Sequence, residues 1–180
     1  SGISTQARRA ADQVRGAGIR ILDTRKTTPL LRSLEKYAVL MGGGKNHRLD
    51  LSDQYLVKDN HVSILRQTSG MEVLSWRRRR VPFEIEVENF DDLKRALAFS
   101  PDIIMLDNFS PSQVRRAIKL LDRLFPDKKR RPMIELSGGI NLDNISRYAI
   151  RGVDFISLGA LTHSARALDF SLEITKVFSH

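Results

Sequence analysis

Charged residues follow several strand-like segments of this chain, and their sign changes from positive to negative along the sequence. The first group is cationic or can become so: Arg25, Lys26, His47, Arg48 and Lys58. Carboxylates come next, since Glu84, Glu86 and Glu88 alternate with apolar residues and Asp107 ends an apolar run. Two small-residue loops close the series: Ser137-Gly138-Gly139 and Gly159-Ala160. This order suits a ligand that carries an anionic group, a polyol or metal-bound diphosphate, and a phosphate.

The cationic group favours an acceptor with more than one carboxylate. Five such side chains at one mouth would repel one another unless an anion lay between them, and arginine forks bind carboxylates in a bidentate way. The alternative is ordinary surface charge paired with nearby acids, such as Asp23 and Asp50. His47 follows three glycines and could donate to an anionic ring, whereas His61 is interpreted as a structural loop histidine. Zinc is disfavoured because the sequence offers no His/Cys set at ligand spacing.

The acidic group needs partners. Strand alternation places Glu84, Glu86 and Glu88 on one face, and both faces of a barrel strand are covered. These carboxylates therefore require cations, a hydrated Mg²⁺ or ligand hydroxyls. The candidate cationic partners are Lys26 and Lys58. A ring of salt bridges inside the barrel is the alternative interpretation.

The glycine loops predict a phosphate site. Ser137-Gly138-Gly139 ends one strand-like run, and its glycines would let the backbone approach a phosphate closely. Gly159-Ala160 follows the next run in the same way. Loops after the last strands of βα barrels bind phosphate repeatedly, so the two loops together favour this interpretation.

Strand-like and helix-like segments alternate along the chain. The predicted strands are Ile19–Leu22, Ala38–Met41, Tyr55–Val57, Phe83–Val87, Ile103–Leu106, Met133–Leu136 and Phe155–Leu158. The predicted helix starts are Thr28-Pro29, Asn89, Ser110-Pro111 and Asn141, the last helix ending at Gly152. This alternation predicts an α/β fold, an incomplete TIM-like βα barrel of about seven parallel strands, in one domain over residues 1–180.

Bulk properties exclude several classes of protein. The net charge is +9, but much of the excess lies in two tracts, Arg77–Arg80 and Lys128–Arg131. Each tract precedes a predicted strand and so falls at the rim opposite the expected site, which makes nucleic acid an unlikely partner. No apolar run is long enough for a membrane span. The chain has no cysteine, which excludes disulfides and cysteine nucleophiles, and we expect a cytoplasmic location.

Seven ordered segments together resemble quinolinate phosphoribosyltransferase (nicotinate-nucleotide pyrophosphorylase, carboxylating). They are Thr24–Pro29, Gly42–Arg48, Lys58–His61, Glu84–Glu88, Leu106–Asn108, Ser137–Ile140 and Leu168–Leu172. The resemblance runs from Ser1 to about Ile174. It implies the transfer of phosphoribosyl from phosphoribosyl pyrophosphate to quinolinate, with Mg²⁺, giving nicotinate mononucleotide, pyrophosphate and CO₂ in NAD biosynthesis.

The resemblance also implies a role for each matching residue. Those implied to bind the carboxylates of quinolinate are Arg25, His47, Arg48 and Lys58. Those implied at the ribose hydroxyls or Mg²⁺ are Glu86 and Asp107, and those at the 5′-phosphate are Ser137, Gly138, Gly139, Gly159 and Ala160. The implied catalytic residues are Lys26, near the diphosphate, and Lys58, Glu86 and Asp107. No side-chain nucleophile is required, so positioning and complementary charge would carry the catalysis.

The chain departs from the family in three ways. Members carry a further N-terminal region that packs on the barrel of a partner subunit and lends it an arginine; we expect this chain to be truncated and weakly active or inactive, and the full-length family protein to be a homodimer. Leu30 and Asp50 stand where glycine is usual, and Asp50 could weaken anion binding at Arg48. The alternatives are a related phosphoribosyltransferase with another anionic acceptor, or a non-catalytic module that binds phospho-ligands or nucleic acid.

Overall fold

A computed structural model of the chain describes residues 2–58 and 81–176. The helices are α1 (Gly2–Gln13), α2 (Arg32–Met41), α3 (Phe90–Leu97), α4 (Pro111–Leu124) and α5 (Ala160–His163). The strands are β1 (Arg20–Leu22), β2 (Tyr55–Val57), β3 (Phe83–Val87), β4 (Ile103–Asp107), β5 (Met133–Ser137) and β6 (Phe155–Ser157). Short 3₁₀ turns cover Lys128–Arg130 and Ile145–Tyr148. His61 and the Arg77–Arg80 tract lie outside the described residues.

The six described strands form one parallel sheet in the order β1-β6-β5-β4-β3-β2. The sheet is not closed between β1 and β2 within the described residues, although Lys45 makes an isolated parallel bridge with Leu22 at the outer edge of β1. Within the described residues, α2, α3 and α4 connect β1 to β2, β3 to β4 and β4 to β5, as crossovers between parallel strands require. The prediction of an α/β fold with an incomplete parallel barrel is confirmed.

The predicted strand Ala38–Met41 is wrong, because these residues form the end of α2. A four-residue apolar run is compatible with either a helix or a strand. Here Lys36 and Val39 face inward on one side of the helix, whereas Leu34 and Tyr37 are exposed. The charged side of α2 is thus buried and its apolar side faces outward, which reverses the usual pattern.

The predicted helix start at Thr28-Pro29 is also wrong. Helix α2 begins at Arg32, and Leu31 precedes it without a side-chain cap. Leu30 has a φ of 67°, in the left-handed region, so a right-handed helix cannot run through it. Glycine tolerates this conformation freely, which gives a physical reason to expect glycine rather than leucine at this position.

Two of the other predicted starts are confirmed. The side chain of Asn89 accepts hydrogen bonds from the backbone of Asp91 and Asp92 at 3.0 and 2.9 Å. Ser110 and Gln113 form a reciprocal capping box at the start of α4, which satisfies N–H groups that a helix leaves free.

The helix predicted from Asn141 to Gly152 is replaced by a turn and the short 3₁₀ segment. The side chain of Asn141 accepts from the backbone of Asp143, and that of Asn144 accepts from the backbone of Asn141. Such local side-chain bonds compete with continued helix.

The register of the sheet creates a polar inner face. Glu86 pairs with Met105, and Met105 pairs with Glu135. Two residues further along, Asp107 pairs with Ser137 on the same face. The intervening residues point the other way and form the main core against the helices, including Ile85, Ile104, Leu106, Ile134 and Ile156. Period-two alternation therefore puts the chemical groups inside and the packing groups outside.

The surface of the described chain bears on two further predictions, one about charge and one about the membrane. Lys128–Arg130 precedes β5 and is exposed, at the N-terminal rim as predicted. Within the described residues, no helix has the length and apolar character that a membrane crossing needs.

Replacing Leu30 with glycine should stabilise the chain. Leu30 is fully exposed and has little packing to lose, and relief of the left-handed conformation is worth about 1 kcal/mol in the free energy of unfolding. Urea denaturation would measure the change. Leu31→Gly is the matched control, since Leu31 has a φ of −101° and should gain nothing; equal effects of both variants would contradict the strain at Leu30.

Candidate active site

A cavity of about 700 Å³ opens at the C-terminal ends of the strands. Every predicted site residue lines it: Arg25, Lys26, His47, Arg48, Lys58, Glu86, Asp107, Ser137, Gly138, Gly139, Gly159 and Ala160. This is the end of a βα barrel where loops carry active sites. Residues far apart in the sequence thus meet at one mouth.

Two guanidinium groups approach each other on one side of the cavity. Burial and the charge of Arg25 both lower the pKa of Arg48. The Nε atom of Arg25 is buried, and no hydrogen-bond acceptor among the described residues reaches it. Converging cations with unused donors are costly unless an anion occupies the space between them. This side of the cavity is therefore suited to a ligand with carboxylates.

Carboxylates lie across the cavity from the arginines. Lys58 Nζ lies 2.5 Å from Glu86 Oε2, which confirms Lys58 as a partner of the acidic group. Asp107 accepts a hydrogen bond of 2.7 Å from the side chain of Asn108. Because β3 and β4 are neighbours, Glu86 and Asp107 face the same space from adjacent strands. Lys26, the other candidate, forms no ion pair with these carboxylates in the part of the chain that the structure describes.

Glu84 and Glu88 do not join Glu86 at the mouth. Glu88 lies beyond the end of β3 and is exposed, and Glu84 is fully buried beneath the cavity. Burial and the neighbouring Glu135 raise the pKa of Glu84 to about 7. Strand alternation predicts that the three glutamates share one face of the sheet, but it does not predict how far each lies from the mouth of the cavity.

His47 contacts protein groups through both ring nitrogens. Its Nδ1 accepts the backbone N–H of Arg48 at 2.8 Å. Its Nε2 lies 3.3 Å from Glu84 Oε2 and 3.5 Å from Glu135 Oε1. Burial opposes a charge on the ring, but the carboxylates of Glu135 and Glu84 raise the pKa of His47 above its ordinary value.

These contacts decide where the protons of the cluster lie. The three side chains are close enough to share a metal ion, since their ligand atoms lie within 4.8 Å of one another. However, the Arg48 amide uses the lone pair of Nδ1, so the hydrogen of the ring is on Nε2, and that nitrogen faces the carboxylates as a donor. Burial and the nearby Glu135 favour a proton on Glu84. A hydrogen on Nε2 disfavours a metal ion at that nitrogen, although His47 Nε2, Glu84 Oε1 and Glu135 Oε2 have no hydrogen-bond partner among the described residues.

A buried ion pair joins the two cationic loops. Lys36 Nζ lies 2.5 Å from Asp23 Oδ1, and both side chains are at most 3% exposed. The same carboxylate oxygen accepts the His47 backbone N–H at 2.9 Å, and Lys36 also donates to the His47 carbonyl at 3.0 Å. This pair fixes the segment before Arg25 against the segment before Arg48.

The glycine loops contain backbone that favours glycine, and their binding of phosphate stays a prediction. Gly138 and Gly139 have φ values of 84° and 63°. A Cβ on Gly138 would lie 2.8 Å from the backbone nitrogen of Asn108, so no side chain fits there. A Cβ on Gly159 would lie 3.1 Å from His163. Both loops therefore pack closely against neighbouring protein atoms where a side chain would stand, and their glycines line the cavity.

Asp50 is exposed, and its carboxylate is hydrogen-bonded within its own loop. Its carboxylate accepts the backbone N–H of Ser52 at 2.7 Å and the Ser52 hydroxyl at 2.6 Å. These hydrogen bonds lower the pKa of Asp50. The charge of Arg25 contributes to this lowering, and the weakening of anion binding by Asp50 stays a prediction.

The chain is similar to known proteins over nearly its whole length. Residues 3–173 match the family described as quinolinate phosphoribosyl transferase, C-terminal domain. The chain belongs to this family. Members that it resembles include the nicotinate-nucleotide pyrophosphorylase (carboxylating) of Mycobacterium leprae, which is 43% identical over 175 residues covering 97% of this chain and 60% of that protein. The protein from Methanocaldococcus jannaschii named probable nicotinate-nucleotide pyrophosphorylase (carboxylating) is 43% identical over 182 residues, covering 98% of this chain and 63% of its own length.

Solved structures of the family agree with the fold. A NadC deletion mutant aligns with a TM-score of 0.83 and 41% identity, covering 95% of this chain and 59% of that one. NadC from Streptococcus pyogenes aligns with a TM-score of 0.83 and 40% identity, covering 96% of this chain and 59% of its own. The chain therefore spans less than two thirds of the length of each of these relatives.

Sequence reasoning missed several residues that shape this quinolinate phosphoribosyltransferase-family site. Glu135 and Ser157 line the cavity, and Ser157 donates to Glu135 at 2.5 Å. A lone carboxylate inside the otherwise apolar run Met133–Leu136 was the available signal for Glu135. The Asp23–Lys36 pair and Gln54 carried no such signal, because their partners are distant in the sequence.

Removing the cation of the buried pair should destabilise the chain strongly. Lys36→Met leaves Asp23 buried without its cation, which costs about 3–5 kcal/mol in the free energy of unfolding. Lys45→Met is the matched control at an exposed lysine and should change it by less than about 0.5 kcal/mol. Urea denaturation of both variants checks this, and equal losses would contradict the role of the pair.

The same variant has a defined pH dependence. Burial already raises the pKa of Asp23, and loss of Lys36 raises it further. The folded variant then binds a proton more tightly than its unfolded chain, so its stability falls as pH rises above the ordinary carboxyl range. Lys36→Met should therefore lose less stability at mildly acidic pH than at neutral pH; a loss that grows on acidification would oppose this.

Adding a methyl group to Gly138 should cost more than its conformation alone explains. Gly16→Ala is the control, because Gly16 has a similar φ of 86° and no atom within 4 Å of a new Cβ. We expect Gly16→Ala to cost about 1–2 kcal/mol in unfolding free energy and Gly138→Ala about 1–3 kcal/mol more from overpacking against Asn108. Paired thermal or urea unfolding would show the difference, and its absence would remove the steric argument.

Proposed function

We propose that the chain is the catalytic barrel of an enzyme that transfers phosphoribosyl from phosphoribosyl pyrophosphate to quinolinate, releasing pyrophosphate and CO₂ and forming nicotinate mononucleotide for NAD biosynthesis. One observation carries this proposal. A single cavity holds a cationic side, a carboxylate side and two glycine loops, and family membership gives each side a matching part of the two substrates.

The cationic side suits the acceptor. Arg25 and Arg48 line one cavity and repel each other, Arg25 Nε has no acceptor among the described residues, and Lys58 lines the same cavity while paired with Glu86. A dicarboxylate would neutralise the repulsion between the guanidinium groups and bind in a fixed orientation. We assign quinolinate to this side. The predicted contact between His47 and substrate stays a prediction, and the occupied ring nitrogens favour a supporting role.

The remaining groups suit the phosphoribosyl donor. Glu86 and Asp107 would hold the ribose hydroxyls, the glycine loops would hold the 5′-phosphate, and Lys26 would lie near the diphosphate. The ring nitrogen of quinolinate would attack the ribose carbon as pyrophosphate leaves, and the carboxylate beside that nitrogen would then be lost. In this scheme the residues of the chain orient the two substrates and balance their charges.

The carboxylate side also fits Mg²⁺. Glu86 and Asp107 offer only oxygen donors, from adjacent strands and toward open space, and Mg²⁺ in such enzymes takes one or two carboxylates together with substrate phosphates. When bound, the ion would offset the charge of the diphosphate. The carboxylates of Glu86 and Asp107 would hold it while Lys58 keeps Glu86 oriented.

The partner surface of the proposed enzyme is the outer face of α2. Leu34, Tyr37 and Met41 are 67%, 60% and 56% exposed, an unusual apolar stripe on a helix whose other side is buried. We propose that a second copy of the full-length protein covers this face and completes the site, so that the 180-residue chain alone turns over weakly or not at all. The predicted cytoplasmic location stays a prediction.

Titration calorimetry of the 180-residue chain with quinolinate tests the proposed function directly. We expect saturable binding, weakened roughly 10- to 100-fold in Arg25→Met because a hydrogen bond to a charged partner is worth about 1.5–3 kcal/mol. Arg15→Met, at an exposed arginine of the loop after α1, is the control and should bind normally. No heat with quinolinate, together with salt-dependent binding of a DNA duplex, would overturn the proposal.

Turnover gives an independent measurement. Incubation with quinolinate, phosphoribosyl pyrophosphate and Mg²⁺ should release CO₂ and nicotinate mononucleotide slowly at most. Rapid turnover by the isolated chain would contradict the need for a second copy, though not the reaction itself.

A further inference from the structure

Arg48 is held in place by a closed series of contacts under the cavity. Its Nη1 donates to the backbone carbonyl of Gln54 at 3.1 Å. The side chain of Gln54 donates from Nε2 to Glu84 Oε2 at 2.5 Å. Glu84 Oε2 contacts His47 Nε2 at 3.3 Å, and His47 Nδ1 accepts the Arg48 backbone N–H at 2.8 Å. The series begins and ends at Arg48.

The fixed point of this series is Glu84. Its side chain is 0% exposed and lies on β3, within the sheet. Gln54, in contrast, precedes β2 at the edge strand of the described sheet. The amide of Gln54 therefore ties a loop carbonyl to a buried carboxylate, and that carbonyl in turn receives the guanidinium of Arg48.

Arg48 needs such a tether because Arg25 repels it. Burial lowers the pKa of Arg48, the charge of Arg25 lowers it further, and the carboxylate of Glu84 acts in the opposite direction. Before an anion binds, repulsion favours rotation of Arg48 away from the cavity, where its charge would be better solvated. A neutral acceptor that is itself anchored can hold the guanidinium without cancelling its charge.

We propose that Gln54 is a positioning residue, which holds Arg48 toward Arg25 by anchoring its own carbonyl through Glu84. The inference rests on the proposed function for the identity of the anion, quinolinate, but not for the contacts themselves. Glutamine suits this role because it supplies one donor for Glu84 and no charge. A glutamate at this position would place a third carboxylate beside Glu84 and Glu135.

Gln54→Met tests the proposal because methionine keeps the volume of the side chain and removes its donor. We expect quinolinate to bind about tenfold more weakly, the order of one lost hydrogen bond, with binding of phosphoribosyl pyrophosphate unchanged. Gln13→Met is the matched control, since the exposed Gln13 also donates one side-chain hydrogen bond, to the Leu142 carbonyl at 2.9 Å. Equal weakening for both substrates, or none for quinolinate, would overturn the proposal.

An exchange of the two residues separates positioning from packing. In the double variant Gln54→Glu with Glu84→Gln, the amide lies on residue 84 and the carboxylate on residue 54, so the hydrogen bond between them can form again. Gln54→Glu alone should bind quinolinate weakly, and the double variant should recover most of the loss. A double variant no better than Gln54→Glu would count against the tether.

A readout without ligand keeps this inference distinct from the proposed function. Phenylglyoxal modifies accessible arginines, and mass spectrometry can follow Arg48 separately from the other arginines. Release of Arg48 in Gln54→Met should raise the rate at which phenylglyoxal modifies Arg48 several-fold, relative to the wild-type chain and to Gln13→Met. If the wild-type chain does not bind quinolinate, the proposed function is wrong. If Gln54→Met leaves the modification rate of Arg48 unchanged, only the proposed role of Gln54 is wrong.

Discussion

The buried ion pair between Lys36 and Asp23 is the contact on which the cationic side of the site depends. It lies where no described strand joins β1 to β2, so the loops there lack a continuous ladder of backbone hydrogen bonds. One carboxylate oxygen receives both Lys36 and the His47 amide. Arg25 lies two residues after Asp23, and Arg48 lies one residue after His47. The same ion pair therefore fixes the backbone next to both arginines. A buried pair tolerates loss of one partner poorly because the other charge is then left uncompensated, so Lys36 and Asp23 depend on each other.

The acidic side is fixed by a different device. Glu86 and Asp107 lie on adjacent strands whose register is set by regular pairing, and Glu135 follows on the next strand. A shift of one residue would turn these carboxylates into the apolar core, at a cost that excludes it. The same alternation that builds the core therefore delivers the carboxylates to the cavity. Strand-borne and loop-borne groups then face each other across one space.

This difference explains how far the sequence alone could lead. Residues at strand ends, such as Lys58 and Asp107, were predictable because strand boundaries and alternation are local patterns. The same local reasoning failed at Ala38–Met41, where only tertiary packing shows that Lys36 points inward to meet Asp23. Gln54 was invisible for a related reason, because its partner Glu84 is thirty positions away. Local patterns located the chemical groups, and long-range contacts determined how they are held.

The site places like charges together and prevents them from separating. Arg25 and Arg48 would relax into solvent if their loops were free, and the empty site would then have to be rebuilt at each binding event. Asp23 holds the backbone of the loop before Arg48, and the carbonyl of Gln54 holds the guanidinium of Arg48. These contacts keep the two arginines close together when no anion is bound. Binding of an anion relieves that repulsion. Because folding has already fixed the arginine side chains, the ligand does not have to offset the entropy lost by ordering them.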